Sequence, residues 1–253
     1  GGWGLFFDAL LIRIVAGRSH ERVLIHHHSF QYINRPSRWM RWLVRIQPEG
    51  STHLVLCECM RNRFVEMYGV AGDRVTVVSN LALRLLAGDV IDVNTERRIS
   101  SGHLNVGFIG TLSVEKGFPI FLEVAEQVRA LYLDLDVTFS CAGPIGDKFA
   151  QSFAATESHV HYRGVRAAAQ VTDFLSELDL VLFPSVYVNE AQPNVIIEAL
   201  GVGVPIMCTP RGCSAELLSP HLDDLVIDER GFVLAATHLI ESLCLSGSGR
   251  TDL

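Results

Sequence analysis

Short apolar segments that end in a Gly or Pro turn constrain the fold of this chain more than any other feature. Residues 179–185 (DLVLFPS) and 105–109 (NVGFI) are apolar runs closed by Pro-Ser or Gly, a pattern typical of buried parallel strands. Residues 117–132 follow the second run and carry apolar side chains at helical spacing. A hydrophobic content of 49% also fits strands that are covered on both faces. We therefore predict an α/β fold with parallel strands.

The segment NEAQPNVIIEALGVGVP sets two carboxylates, Glu190 and Glu198, around the predicted start of a helix. Pro193 suits the first helical position, because its missing N–H needs no partner there. The amides of Asn194 and Val195 would then lie at the helix N-terminus, which attracts phosphate. Carboxylates accept hydrogen bonds in pairs, as vicinal sugar hydroxyls require. A single glutamate here is more often a helix-dipole partner or a solvated residue, but the combination favours a ligand site.

A second turn that favours anions follows the predicted strand at residues 105–109. In this turn, GTLSVEKG, Gly110 lets the backbone bend tightly and approach a ligand closely. Lys116 stands at the mouth of the next predicted helix, where its ammonium group could neutralise a diphosphate. A surface lysine would be slightly unfavourable at a helix start, because of the helix dipole. The interpretation of Lys116 as a ligand residue is therefore favoured.

These motifs and several others follow one another in a characteristic order along most of the chain. The segments in that order are IHHHSF (25–30), LCECMRNRFVEMYGV (56–70), VTVVSN (75–80), GFIGTLSVEKG (107–117), CAGPIGD (141–147), YRGV (162–165), LDLVLFPS (178–185), the two-glutamate segment and GVPIMCTPRGCSAE (203–216). In this respect the chain resembles the retaining glycosyltransferases of family 4, whose GT-B architecture has two facing Rossmann-like, doubly wound parallel-sheet domains. The resemblance implies an incomplete N-terminal acceptor-side domain at residues 1–87, a linker at 88–103 and a donor domain at 104–253.

The resemblance also implies roles for individual residues. Lys116 would contact the donor pyrophosphate, Glu198 the ribose hydroxyls, and Glu190 the hydroxyls of the transferred sugar. A histidine from IHHHSF would lie near the reacting carbon. Strand alternation puts His26 and His28 on one face and His27 on the other. We favour His28, with His26 as the alternative, and alternation does not decide between them. The donor-binding residues implied in this way are Gly110, Thr111, Lys116, Gly164, Val165, Gln192, Pro193, Asn194, Val195 and Glu198, of which Gly164 and Val165 would meet the nucleobase through their backbone.

The chemistry implied by the resemblance requires no protein nucleophile, bound metal or cofactor. Members of the family retain the anomeric configuration, and the leaving phosphate is thought to help deprotonate the acceptor. Catalysis would consist of positioning and electrostatic stabilisation of the departing diphosphate. The expected partners are a nucleotide-sugar donor and a sugar, lipid-linked or protein acceptor. The net charge of −7 argues against generic binding of nucleic acid.

The chain departs from the family pattern in two respects. Many relatives carry an arginine directly after the glycine of the first turn, where this chain has Thr111. Loss of that cation would leave Lys116 with more of the diphosphate neutralisation. The family also begins with strands and a glycine-rich loop, whereas this chain opens on GGWGLFFDALL, which is typical of a helix midway through the first domain. We therefore expect a fragment, or a chain that needs a partner, with an uncovered edge on its first strand.

The segment RPSRWMRWLVRIQ has a charge pattern of its own. At helical spacing, Arg38, Arg41 and Arg45 form a basic stripe beside an apolar stripe that contains Trp39 and Trp42. Such a helix can lie on an anionic membrane surface, where lipid-linked acceptors are found. The alternative, which we slightly favour, is a helix that packs its apolar side chains on the sheet.

The leading prediction is a glycosyltransferase of polysaccharide or glycolipid assembly. It would work in the cytoplasm, at the membrane surface if the arginine helix binds lipid. Two alternatives remain at this point. One is a truncated, non-catalytic chain that binds a nucleotide sugar. The other is a different GT-B enzyme, such as a sugar-nucleotide epimerase, which would use no acceptor.

Overall fold

The computed structural model describes residues 2–16, 23–82, 103–146, 159–218 and 223–247. The chain divides into two compact units, the first formed by Gly1–Ala87 with Val188–Gln192 and the second by Gly88–Tyr187 with Pro193–Leu253. Val188–Gln192 thus belongs to the first unit, although the chain on both sides of it belongs to the second. The predicted linker at 88–103 lies outside the described residues, apart from His103.

The first unit contains one parallel sheet with the strand order β1-β2-β3. The strands are paired in parallel, with Ile25 opposite His53 and Leu54 opposite Thr76. The elements of this unit are α1 (Gly2–Ala16), β1 (Leu24–His26), α2 (Gln31–Asn34), α3 (Arg38–Ile46), β2 (Thr52–Val55), α4 (Glu58–Tyr68), a 3-10 turn (Gly72–Arg74) and β3 (Val75–Val77).

Helix α3 packs its aromatic side chains against α1. The ring centroid of Phe6 lies 5.0 Å from that of Trp39 and 6.2 Å from that of Trp42. Met40 and Leu43, on the adjoining side of α3, are buried. The apolar stripe of α3 is therefore used in packing, as the second of the two interpretations expected, but its tryptophans contact a helix rather than the sheet.

The second unit contains a five-stranded parallel sheet with the order β6-β5-β4-β7-β8. This order of parallel strands confirms the predicted α/β fold. The elements are β4 (Leu104–Ile109), α5 (Phe118–Leu131), β5 (Val137–Ala142), β6 (His161–Tyr162), α6 (Ala168–Ser176), β7 (Leu180–Phe183), α7 (Asn194–Gly201), β8 (Ile206–Cys208), α8 (Ser214–Leu218), a 3-10 turn (Asp223–Leu225) and α9 (Phe232–Gly247).

Both faces of this sheet are buried by helices. Strand alternation sends Phe108 into one core, where it packs with buried residues of α5 and α9. Its neighbour Ile109 joins a second core on the opposite face, with buried residues of α6 and α7. All four residues of β7 are buried, as a strand covered on both sides requires. The sheet is thus doubly wound.

Helix α5 begins where the sequence pattern places it. Gly117 is its N-cap in the left-handed conformation, with φ of 75°, and Pro119 occupies the first turn. Pro is tolerated there because the first amides of a helix have no intrahelical partner. The buried residues Phe121, Val124 and Val128 then recur at helical spacing on one face. The helix predicted over residues 117–132 is confirmed, with its two end residues acting as caps.

Within the described residues, no helix has both the length and the apolar character needed to cross a membrane.

Candidate functional site

The candidate site lies at the carboxyl edge of the five-stranded sheet. Strand β4 is central, and the chain runs outward through β5 and β6 before it returns to β7 and β8 on the other side. The direction of strand succession therefore reverses between β4 and β7. In open α/β sheets, ligands bind outside the carboxyl ends of the strands at such a topological switch point.

Glycines line this edge at the ends of three adjacent strands. Gly110, Gly143 and Gly164 have φ angles of 147°, 133° and 77°, respectively, which favour glycine. The N–H of Gly143 donates to the carbonyl of Gly164 at 3.0 Å. A Cβ on Gly143 would lie 2.0 Å from the carbonyl oxygen of Gly110. The three strand ends therefore form a floor of closely apposed backbone.

The sequence prediction included Gly110 and Gly164 but missed Gly143. The signal was present, because Gly143 directly follows the apolar strand β5 just as Gly110 directly follows β4. The hydroxyl of Tyr162 donates to the carbonyl of Gly143 at 2.9 Å and holds this turn in place. The side chains of Thr111 and Val165, two further predicted site residues, are exposed at the ends of β4 and β6.

The turn after β4 is fixed against the turn after β7. A Cβ on Gly117 would lie 1.8 Å from the carbonyl oxygen of Pro184, so only glycine fits this approach. The N–H of Val186 also donates to the carbonyl of Glu115 at 3.0 Å. The two loops on either side of the switch point are thereby joined through their backbones.

Lys116 lies at this junction, directly before the N-cap of α5, and its position at the start of that helix is as predicted. Its N–H donates to the hydroxyl of Ser113 at 3.3 Å. Its ammonium nitrogen lies 5.5 Å from the ring centroid of Tyr187 and 6.0 Å from that of Phe183. Both rings come from β7 or the loop after it, so the cation stands over the carboxyl end of that strand. Ring faces attract a cation at these distances and restrict where the ammonium group can go.

Helix α7 starts beside the same edge, one residue later than predicted. Pro193 is its N-cap, with ψ of 120°, and the helix runs over Asn194–Gly201. The extended ψ of Pro193 excludes it from the helix itself, so the prediction that Pro193 is the first helical residue was wrong. Asn194 and Val195 therefore provide the first helical amides. Glu198 lies within the helix, as predicted, and its side chain is half-buried.

The loop that carries Glu190 and Gln192 makes its hydrogen bonds within the first unit. The side-chain amide of Gln192 donates to the carbonyl of Leu56 at 3.2 Å. The side-chain amide of Asn80 in turn donates to the carbonyl of Gln192 at 3.3 Å. The side chain of Glu190 is buried. Glu190 and Gln192 thus belong to a different unit from Lys116, Pro193 and Glu198.

The three consecutive histidines follow the predicted alternation. The ring centroids of His26 and His28 lie 3.9 Å apart, whereas His27 points into the core. His28, the favoured candidate, is exposed, and His26 is half-buried. Nδ1 of His27 is 2.9 Å from the Tyr32 hydroxyl. Its Nε2 is 2.9 Å from Nδ1 of His53. His27 is therefore a structural residue.

Burial keeps the inner pair of histidines neutral. Burial, followed by repulsion from neighbouring histidines, lowers the pKa of His27 from 6.5 to about 3. Burial, followed by the charge of Arg74, lowers the pKa of His53 to about 4. The pKa of His26 is also lowered, first by burial and then by His28. A neutral imidazole has one donor and one acceptor nitrogen, as the two bonds of His27 require.

Among the residues that the structure describes, no group of three or more His, Cys, Asp and Glu side chains is arranged to hold a metal ion.

Most of the second unit matches the model of a known protein family. The model described as Glycosyl transferases group 1 matches residues 103–242. The chain is also 31% identical over 128 residues to TuaC of Bacillus subtilis (strain 168), a glycosyltransferase named for teichuronic acid biosynthesis. That match covers 51% of this chain but only 30% of TuaC. The matched segment thus spans less than a third of this relative.

Solved structures share the fold. A variant of S. aureus TarM in complex with fondaparinux, alpha-GlcNAc-glycerol and UDP superposes with a TM-score of 0.66 at 17% identity, covering 90% of this chain and 45% of TarM. Anabaena Alr3699/HepE in complex with UDP and glucose superposes with a TM-score of 0.65 at 17% identity, covering 100% of this chain and 72% of that protein. The likeness supports the predicted GT-B type of α/β fold.

Proposed function

The chain belongs to the group 1 glycosyl transferases, and on that premise we propose that it transfers a sugar from a nucleotide-diphosphate sugar to an acceptor with retention of anomeric configuration. The observation that carries this proposal is the switch point between β4 and β7. There, a glycine floor, the Lys116 ammonium group and the start of α7 share one sheet edge. An edge of this kind favours a ligand with an anionic centre and a flat base.

Each part of the donor has a candidate partner at this edge. The pyrophosphate would be bound by Lys116 and the first amides of α7. The half-buried carboxylate of Glu198 would accept hydrogen bonds from the ribose hydroxyls. The turn at Gly164 and Val165 exposes backbone that would meet the base without a side chain in the way. Gly110 and Thr111 would lie under the phosphates.

Three residues of the first unit, His28, Glu190 and Gln192, are further candidates for the proposed reaction. Glu190 would bind the hydroxyls of the transferred sugar, and Gln192 would support the loop that presents it. His28 would lie near the reacting carbon. Catalysis would rest on positioning and on electrostatic stabilisation of the leaving diphosphate, with the positive charge supplied by Lys116 and the helix dipole. The proposed reaction uses neither a metal nor a further cofactor.

The names of the relatives guide the choice of substrates to test. The TarM and HepE structures are complexes with UDP, so UDP is the first nucleotide to test. TuaC is named for teichuronic acid biosynthesis, and we propose polysaccharide or glycolipid assembly as the wider role. The acceptor would be a sugar or a lipid-linked or protein-bound group. The proposed location is the cytoplasm, at the membrane surface, with contact through the helix that carries Arg38, Arg41 and Arg45.

Calorimetric titration of the chain with UDP, GDP and ADP tests the donor site. One nucleotide should bind saturably, and Glu198→Gln should weaken its binding by about tenfold through loss of charge-assisted hydrogen bonds. Glu126→Gln removes an exposed glutamate from α5 and serves as the matched control. Failure of all three nucleotides to bind a folded chain would refute the donor site.

Turnover with the matching donor then tests the reaction. The anomeric configuration of the product, read by proton NMR, should equal that of the donor. An inverted product would refute retention. Conversion of the donor without any acceptor into an epimer would favour the epimerase alternative. Binding without turnover would favour a non-catalytic chain.

A further inference from the structure

A half-buried arginine, Arg166, follows the turn at which the base of the donor is proposed to bind. It lies two residues beyond Gly164, so the two Cα atoms are within about 7 Å of each other. Between them stands the exposed Val165. Arg166 is not among the residues that the proposed function assigns to the donor. Its position nevertheless puts a cationic side chain beside the proposed base site.

The guanidinium group of Arg166 is held against helix α6. Its carbon atom lies 6.0 Å from the ring centroid of Phe174, which is buried. A ring face attracts a guanidinium group at this distance and restricts its position. Phe174 shares one core with Ile109 at the end of β4 and with Ile196 in the first turn of α7. Arg166 therefore lies on the same face of the sheet as the start of α7, where the pyrophosphate is proposed to bind.

The environment of Arg166 differs from that of the neighbouring arginine. Arg163 is exposed, and its Nη2 donates to Oε2 of Glu177 at 2.7 Å. In contrast, Nε of Arg166 is buried and has no hydrogen-bond partner among the residues that the structure describes. A buried donor without an acceptor costs free energy. The site therefore favours a ligand that brings hydrogen-bond acceptors to this guanidinium group.

A guanidinium group can distinguish between bases, because it has five donors and no acceptor. Uracil carries carbonyl oxygens, and guanine carries a carbonyl oxygen beside a ring nitrogen, all of which accept hydrogen bonds. Adenine carries an amino group in place of that carbonyl, and an amino group donates. A guanidinium group that faces adenine therefore meets another donor, and polar groups left unpaired in this way reject a ligand.

We propose that Arg166 selects the base of the donor by donating to a carbonyl oxygen of uracil or guanine, and that it thereby excludes adenine. This inference rests on the proposed function, because it needs the base at the turn of Gly164 and Val165, and it adds the chemical class of the base. The backbone of that turn offers donors as well as acceptors, so it does not decide between these bases by itself. Phe174 is a positioning residue that holds the guanidinium group.

Calorimetric titration with UDP, GDP and ADP tests the selection. UDP or GDP should bind at least about tenfold more tightly than ADP, the effect of one hydrogen bond to a charged group. Arg166→Gln should weaken binding of the preferred nucleotide by about tenfold but leave the affinity for ADP nearly unchanged, because an amide can also accept from an amino group. The matched control is Arg163→Gln, which removes an exposed cation three residues earlier and should leave the preference for UDP or GDP over ADP intact.

Nucleosides separate recognition of the base from attraction of the phosphates. Arg166→Gln should weaken binding of the nucleoside, measured by competition with its diphosphate, by the same factor as binding of the diphosphate. A guanidinium group that acted on the phosphates would instead leave the nucleoside unaffected. The ratio of two affinities does not depend on the fraction of the sample that is folded, so partial destabilisation of the variant does not disturb the test.

Three results would overturn the inference. One is that ADP binds as tightly as UDP and GDP. Another is that Arg166→Gln weakens all three diphosphates by a common factor, and the third is that Arg163→Gln narrows the preference as much as Arg166→Gln does. Failure of all three nucleotides to bind the unchanged, folded chain would refute the donor site itself, and the inference with it. Because the unchanged chain is titrated first, that failure is recognised before any variant is compared.

Discussion

Acid should destabilise the first unit through its buried histidine pair. His27 and His53 are 1% and 0% exposed, respectively, and their ring nitrogens are hydrogen-bonded at 2.9 Å. Burial holds the pKa of His27 at about 3 and that of His53 at about 4, against 6.5 in the unfolded chain. At mildly acidic pH the unfolded chain therefore binds protons at these two histidines, whereas the folded chain does not. Stability is fully present above pH 6.5 and is lost as the pH falls below it.

The size of the loss follows from these values. At pH 5, protonation of the unfolded chain costs the folded state about 2 kcal/mol for each histidine, or about 4 kcal/mol for the pair. Such a loss is a large share of the 5–15 kcal/mol by which domains are typically stable. The first unit should therefore unfold at a clearly lower urea concentration at pH 5 than at pH 8.

Urea unfolding followed by tryptophan fluorescence measures this effect, because Trp3, Trp39 and Trp42 all lie in the first unit. His53→Gln keeps a side chain that can hydrogen-bond to His27 but removes one titrating group. In this variant the difference in free energy of unfolding between pH 8 and pH 5 should fall by about 2 kcal/mol.

His238→Gln removes an exposed imidazole from α9 in the second unit and serves as the control. Its pH dependence should match that of the unchanged chain. A change below about 1 kcal/mol between pH 8 and pH 5 in the unchanged chain would refute the reasoning. So would an undiminished pH dependence in His53→Gln.

Three further predictions concern the switch-point loops. Gly117→Ala combines a positive φ with a Cβ at 1.8 Å from the Pro184 carbonyl and should cost more than about 3 kcal/mol. Gly69→Ala has a similar φ but open space around its Cβ and should cost only about 1 kcal/mol; equal losses in thermal unfolding would contradict the close approach. Lys116→Gln should weaken binding of the matching nucleoside diphosphate by about tenfold while leaving the affinity for the nucleoside unchanged. Equal losses of affinity for both ligands, measured by calorimetry, would refute a phosphate-binding role for Lys116. Thr111→Arg places a cation at an exposed position beside the same loop and should raise diphosphate affinity by a fewfold at low salt, less at high salt; no gain at any ionic strength would place the phosphates elsewhere.

The local structure of the second unit follows closely from its sequence. Continuous apolar runs identify β4 and β7, because strands buried on both faces need no polar alternation. Gly110 and Gly117 mark turns whose positive φ only glycine adopts readily. These signals are local, and they also placed Lys116 and Glu198 on the correct loop and helix. They were less reliable at a boundary, since Pro193 caps α7 and does not begin it.

Contacts between distant residues were decided by the tertiary structure alone. Periodicity shows which side of a strand faces inward, but it does not name the partner found there, so the bond from His27 to His53, 26 residues away, had no sequence signal. The same holds for Phe6, whose ring packs against the α3 tryptophans. It holds as well for Glu190, whose loop belongs to the first unit while the chain around it belongs to the second. Sequence patterns determine conformation over a few residues, whereas partners across a fold depend on strand order and packing, which only the complete set of long-range contacts specifies.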